Sequence, residues 1–372
     1  MRGTIPPPSD AAGVLTPRAM RILFVTSNRL GDAILATGLL DHLIRTYPNC
    51  RITVVCGPVA AELFVRMPNL ERVIVLDKRR WSLHWPQLWA TAARRRWDKV
   101  VDIRGSGLAW MVRASRRVVM RPRPGHKLSQ LAAMLGLDPP PLPVAWFAPE
   151  DVARVATLLP VPLPAGPATG LGPELPTARP LVALGPTANW APKVWPAERF
   201  AALFQALAAG PLPGAIPLVI AGPGAAERAM AAPLLAALPQ AIDLVGCLAL
   251  PEVAACLARA SLFVGNDSGL MHLAAAAGAP TLGLFGPTSA DEYAPAGRHS
   301  AVVIAMGHHM ADLPVDRAFA TAERLIARAT TTRPGSANPG TTNLRTLRPA
   351  PAPHPDRHPT SSLAHTSPAP PA

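Results

Sequence analysis

Lysine, cysteine and acid are all scarce in this chain. The four cysteines (Cys50, Cys56, Cys247, Cys256) form no CxxC pair and have no metal-ligand spacing. The four residues are therefore expected to be small buried side chains in a reducing, cytoplasmic setting. Long apolar runs are also missing. The longest charge-free stretches, such as 201–226, are broken by pairs like Pro213-Gly214, which suits buried strands and helices better than a membrane span. The first nineteen residues hold no apolar core that would serve as a cleavable signal. With Met20 just ahead of the first strand pattern, 1–19 is expected to be a disordered leader or a misassigned start.

Acid is outnumbered 36 to 23, for a net charge of +13, and the excess is local. Between Lys78 and Lys127 fourteen Lys or Arg face two Asp. Such a stretch is either a solvated Arg-rich surface or a patch for an anionic partner. No recognition-helix or aromatic-interleaved pattern supports nucleic acid, so no nucleic-acid partner is expected. A phosphorylated glycolipid at an anionic membrane face fits at least as well, with peripheral contact through 78–127.

What is present is mostly material for folding, with 49% apolar residues against 16% charged. Residues 160–180 hold seven prolines in twenty-one positions and read as a linker. Residues 331–372 hold ten prolines with few large apolar groups and read as a disordered tail. Two blocks remain, 20–159 and 181–330. In each, short β-rich runs alternate with helical patterns, the signature of doubly wound parallel sheets with covering helices. The first block offers "RILFVTS", "RITVVCG", "RVIVLD" and "KVVDIRG" as strands, with helix expected from Gly31 to Tyr47 and over "AAELFVRM". The second offers "LVALGP", "IPLVIAG", "IDLVG", "SLFVGND" and "TLGLFG", with helices near 196–209, 224–238, 250–259 and 268–278. Two such domains enclose a cleft, and ligands sit at the carboxyl ends of the strands.

Four stretches carry candidate chemistry. In "SNRLGDAILATGLL", Gly31 permits a tight turn and Asp32 opens a helix. Asp32 either caps that helix or, held ionised at the helix start, accepts a proton from an attacking hydroxyl. In "GPTANWAPKVWPAERF", a turn supplies Thr187 and Asn189 before Lys193. A lysine kept in a chain with eight arginines per lysine suits a compact charge on phosphate, although a solvated lysine is the common case. In "AGPGAAERA", Gly222 and Gly224 form a strand-to-helix turn and Glu227 follows in the first helical turn. Glu227 either complements the helix dipole or bonds ribose hydroxyls. In "NDSGLMHLAAAAGAPTLGLFGPT", Asp267, Ser268 and Gly269 follow a strand, where they either cap a helix or offer its amides to phosphate. His272, one turn on, is a structural or substrate-contacting residue.

Together these stretches resemble glycosyltransferase family 9, the ADP-heptose:lipopolysaccharide heptosyltransferases. The resemblance spans about residues 20–330 and rests on "RILFVTSNRLGDAILATGLLDHLIRTYP", "PTANWAPKVWPAERFAAL" and "FVGNDSGLMHLAAAAGAPTLGLFGPT". It implies a GT-B fold, two Rossmann-like domains facing a cleft, with acceptor on the first and nucleotide sugar on the second. It implies Asp32 as general base, Thr187 and Lys193 on the diphosphate, Glu227 on the ribose and Leu248 at the adenine. It places Asp267, Ser268 and Gly269 around the phosphates and donor sugar. Arg104 is a candidate on the acceptor side. The implied reaction is inverting transfer of heptose from ADP-heptose to an anionic glycolipid acceptor, without a metal or other cofactor; no Asp-x-Asp motif is present. A family member with another nucleotide sugar, and a nucleotide-sugar binder without turnover, remain alternatives. A Rossmann dehydrogenase is disfavoured because the first βα turn, "SNRLGD", lacks GxGxxG.

Overall fold

The computed structural model describes residues 18–76, 92, 94–159 and 179–331. Nearly all of the expected leader and of the Pro-rich linker, the tail beyond Thr331, residue 77, and 78–91 and 93 of the basic stretch lie outside these described residues.

Two parallel sheets organise the chain. The first comprises β1 (Arg21–Val25), β2 (Arg51–Cys56), β3 (Leu70–Val75), β4 (Arg96–Asp102) and β5 (Arg113–Val119), in the order β3-β2-β1-β4-β5. The second comprises β6 (Leu181–Gly185), β7 (Ile216–Val219), β8 (Ile242–Asp243), β9 (Leu262–Asn266), β10 (Thr281–Phe285) and β11 (Ser300–Ile304), in the order β11-β10-β9-β6-β7-β8. Each sheet starts in its middle, winds outward, then returns to wind the other way. This is the doubly wound Rossmann order, with its switch point between β1 and β4 in one sheet and between β6 and β9 in the other.

The central strands read as unbroken apolar runs because helices cover both sheet faces. Ile22 and Phe24 of β1 point into one buried layer while Leu23 and Val25 point into another. Leu181 and Ala183 of β6 are likewise separated from Val182 and Leu184. Two of the four edge strands, β5 and β11, escape a reading based on apolar runs. β5, "RASRRVV", is largely exposed, and β11 has only one fully buried residue. The C-terminal helix Val315–Thr331 belongs to the second domain, burying Ala318, Ala322 and Leu325 at helical spacing.

The helix expected over 31–47 is two helices, Leu30–Leu35 and Thr37–Thr46, meeting at Ala36. One side chain holds the break. Thr37 Oγ1 donates to the Ile34 carbonyl (2.7 Å) and accepts from the Val144 amide (2.8 Å), tying the joint to a distant segment.

One apolar cluster runs through both domains, so they share a seam. Leu30–Leu35 packs on helix Gly269–Ala276, and Pro149–Leu158 packs on Leu250–Leu257. Three polar ties bridge the same seam, from the Ala145 amide to the Ala276 carbonyl (3.2 Å), between His126 Nε2 and the Ala294 carbonyl (3.0 Å) and from the Leu250 amide to Glu62 Oε2 (3.2 Å). Among the described residues no helix is long and apolar enough to cross a membrane.

Candidate active site

The helices that follow the carboxyl ends of β1 and β9 meet across this seam. On the first domain, Asp32 lies in the opening turn of Leu30–Leu35. It does not cap that helix. Arg29 occupies the cap position without a side-chain bond, and the Asp32 carboxylate instead accepts from Ser27 Oγ (3.1 Å). Ser27 Oγ in turn accepts from the Arg29 amide (3.1 Å), so its single proton is directed at Asp32.

Gly31 does not form the expected turn either. It sits inside the helix, where a Cβ would stand 3.0 Å from the His272 ring of the other domain. Gly269 answers it, since a Cβ there would meet the Leu30 side chain at 3.0 Å. The two glycines let the helix starts approach each other.

On the second domain, β9 ends in a hydrogen-bonded knot. The fully buried Asn266 accepts from the Trp195 amide (3.0 Å) and donates to the Pro186 carbonyl (2.8 Å), joining the β9 and β6 loops. Asp267 receives Lys193 Nζ at 2.6 Å and Thr288 Oγ1 at 2.8 Å on one oxygen. Lys193 is therefore a fixed, largely buried cation rather than a solvated one. Ser268 is the cap residue of Gly269–Ala276 by backbone geometry, yet its hydroxyl is buried and makes no hydrogen bond among the described residues. His272 is buried and its Nδ1 is likewise unpartnered. Burial above all pushes its pKa down to about 4, against the opposing pull of the Asp267 and Asp32 carboxylates.

The remaining donor-side candidates stand further along the row. Thr187 is buried beyond β6, with Asn189 exposed two residues later. Gly224 adopts φ +115°, a backbone setting that favours glycine, and opens helix Ala225–Ala237. Glu227 folds back over Gly222, with one carboxylate oxygen buried and unpartnered. Leu248, after β8, packs on the shared core. Cys247 beside it is exposed, contrary to the expectation of four buried thiols. The sheet order sets the loops of β9, β6, β7 and β8 side by side, so these residues line one continuous rim.

Arg104 stands across the cleft and reaches Asn28 Oδ1 at 3.5 Å. Its loop is shaped by Asp102, a buried carboxylate that accepts from the Arg104 amide (2.9 Å), the Ser106 amide (3.0 Å) and Ser106 Oγ (2.6 Å). Sequence reasoning missed Asp102, Ser27, Thr288 and Tyr293. Burial raises the Tyr293 pKa, and the nearby Asp32 charge adds to the shift. Their signal was faint, since each is one polar residue inside a stretch already read for another. Among the described residues no group of three or more His, Cys, Asp and Glu gathers as for a metal ion.

The pattern of Glycosyltransferase family 9 (heptosyltransferase) matches residues 154–319. Lipopolysaccharide heptosyltransferase 1 of Pseudomonas aeruginosa is 32% identical over 294 residues, covering 73% of this chain and 79% of that protein. The chain belongs to glycosyltransferase family 9. Lipopolysaccharide heptosyltransferase 2 of Salmonella typhimurium is 27% identical over 325 residues, covering 78% of this chain and 90% of its own. Among solved structures, a family 9 glycosyltransferase from Veillonella parvula superposes with TM-score 0.68 at 21% identity, covering 83% of this chain and 97% of its own. An Escherichia coli heptosyltransferase solved with ADP gives TM-score 0.63 at 21% identity, covering 82% and 100%. The fold of this family 9 glycosyltransferase is thus the GT-B fold, as the sequence suggested.

Proposed function

We propose that this glycosyltransferase moves a heptosyl unit from ADP-heptose to a hydroxyl of a lipopolysaccharide inner-core acceptor, with inversion at the anomeric carbon. The observation that carries the proposal is the pairing across the seam. The carboxylate of Asp32, oriented by Ser27, opposes a helix start whose buried Ser268 hydroxyl has no partner and whose neighbour Asp267 fixes Lys193. The names of the relatives supply the sugar.

In this reading the donor lies along the rim from β9 to β8. Three strand spacings of about 4.8 Å give roughly 14 Å, suited to an extended nucleoside diphosphate sugar. Glu227 meets the ribose and Leu248 the adenine. Thr187, Lys193 and the amides at Ser268 and Gly269 meet the diphosphate. The acceptor enters beside Arg104. Asp32 takes the proton of the attacking hydroxyl as the new bond forms to the anomeric carbon and the bond to ADP breaks. Lys193 and the helix dipole stabilise the charge that collects on the departing diphosphate. The chain would work in the cytoplasm, where nucleotide sugars are made.

The test is calorimetry with ADP-heptose and UDP-glucose, followed by ADP release in the presence of delipidated core glycolipid. ADP-heptose should bind preferentially. Asp32→Asn should lower kcat by about 10²- to 10⁴-fold while leaving donor affinity within a few-fold. Preferential binding of UDP-glucose, or full turnover by Asp32→Asn, would overturn the assignment.

A further inference from the structure

The helix Leu108–Met111 and the strand that follows it form a surface that the transfer reaction does not use. Leu108 and Ala109 are buried, whereas Trp110 is 70% exposed and Met111 53% exposed. The indole is held in place. Arg117 donates to the carbonyls of Ala109 (2.8 Å), Val112 (2.8 Å) and Ala114 (3.0 Å), bracing the helix against β5, and its guanidinium lies 5.9 Å from the Trp110 ring centroid.

Along the chain on both sides of this apolar pair the charge is of one sign. From Ile103 to Leu137 there are seven Lys or Arg and no Asp or Glu. Arg113, Arg116, Arg121 and Arg123 are exposed and make no ion pair among the described residues. The two carboxylates of β4 are turned to other work, with Asp98 accepting from the Arg21 amide and Asp102 holding its own loop. The expected basic patch is therefore not uniform. Lys99 is buried against the Tyr47 ring and Arg95 is paired with Glu71. What makes no ion pair among the described residues is the set of four arginines on β5 and just beyond it.

The placement of this edge adds to its meaning. β5 borders the sheet, and Val119 sits beside Asp102, so Arg121 and Arg123 follow just past the rim that carries Arg104. An exposed indole and thioether beside the Arg117 guanidinium, on the same sheet edge as four exposed arginines, suit the boundary of an anionic bilayer. There the indole sits at headgroup level, and each arginine is worth about fivefold in affinity.

We propose that Trp110 and Met111, with Arg113, Arg116, Arg121 and Arg123, dock the first domain on an anionic lipid bilayer and turn the acceptor mouth toward it. This deepens the proposed transfer to a glycolipid and rests on that reading for the acceptor alone. Docking itself is measured without any sugar.

The test is cosedimentation of the full chain with phosphatidylcholine vesicles, with and without about 30% phosphatidylglycerol. Binding should require the anionic lipid and be released by salt. Arg113→Gln with Arg116→Gln should weaken it about 25-fold, and Trp110→Ser about tenfold, with melting temperatures unchanged. Arg154→Gln, an exposed arginine on another helix, should leave it unchanged. Equal binding to neutral vesicles, equal loss in Arg154→Gln, or tighter binding to a single-stranded oligonucleotide than to vesicles would each overturn the proposal. Vesicle binding without heptosyl transfer would sink the activity and leave the docking face standing; transfer without vesicle binding would do the reverse.

Discussion

Ser27 shows how much a single hydroxyl can decide. Its acceptor side is taken by the Arg29 amide, so the one proton it carries orients Asp32. Ser27→Ala should lower kcat about tenfold with the donor KM unchanged, the scale of losing a hydrogen bond to a charged group. Ser27→Thr, which keeps the hydroxyl, should recover most of the loss. Steady-state kinetics on the three proteins would decide, and a wild-type kcat in Ser27→Ala would refute the role. At this scale the sequence showed which residues to watch but not how each is used. Gly31 stood out as a turn former, yet its place inside a helix is explained by the His272 ring that crowds it. Nothing local encodes a contact between positions 241 residues apart.

At the scale of elements, the β9 loop is fastened to the loop of its neighbouring strand. Asn266 is buried and bonded to two backbone groups from the β6 side, the Trp195 amide and the Pro186 carbonyl. Asn266→Ala leaves both groups buried without partners and should cost about 2–3 kcal/mol, lowering the melting temperature by roughly 5–10 °C. Thermal unfolding measures it, and a shift under about 2 °C would show that the loops hold without this residue. Central strands were legible because burial on both faces demands continuous apolar sequence. Two of the four edge strands were not, because β5 and β11 face solvent and their side chains report exposure more than strand. The break at Ala36 was hidden for a different reason: Thr37 is an ordinary helical residue until Val144 arrives to bond it.

For the molecule as a whole, the seam is where pH should act. His272 is buried between the domains, facing Asp267, Asp32, His126 and Lys193, and its pKa falls from 6.5 to about 4. The unfolded chain therefore binds a proton more readily than the folded one, and stability rises with pH across this window. The contribution is complete above about pH 6.5 and is lost as pH falls toward 4, by about 3 kcal/mol at most. Asp102, whose pKa burial raises, works in the opposite direction at the acid end. Melting temperatures of the wild type and His272→Gln, followed downward from about pH 7.5, should converge or cross as His272 begins to charge. Parallel curves would mean that His272 titrates normally.

Composition and periodicity by themselves determined that this chain builds two parallel α/β units, because only covered sheets tolerate such apolar strands. They also pointed to polar residues at strand ends, where carboxyl-terminal loops gather ligands. Tertiary structure decided what those residues meet. The doubly wound order placed four loops in a row, the seam set Gly31 against His272 and Gly269 against Leu30, and Asp267 fixed the lysine that sequence left as either solvated or bound. The division has one physical cause. Hydrophobic pattern is a property of neighbours along the chain, whereas a site is made by side chains whose closeness depends on how every intervening element packs.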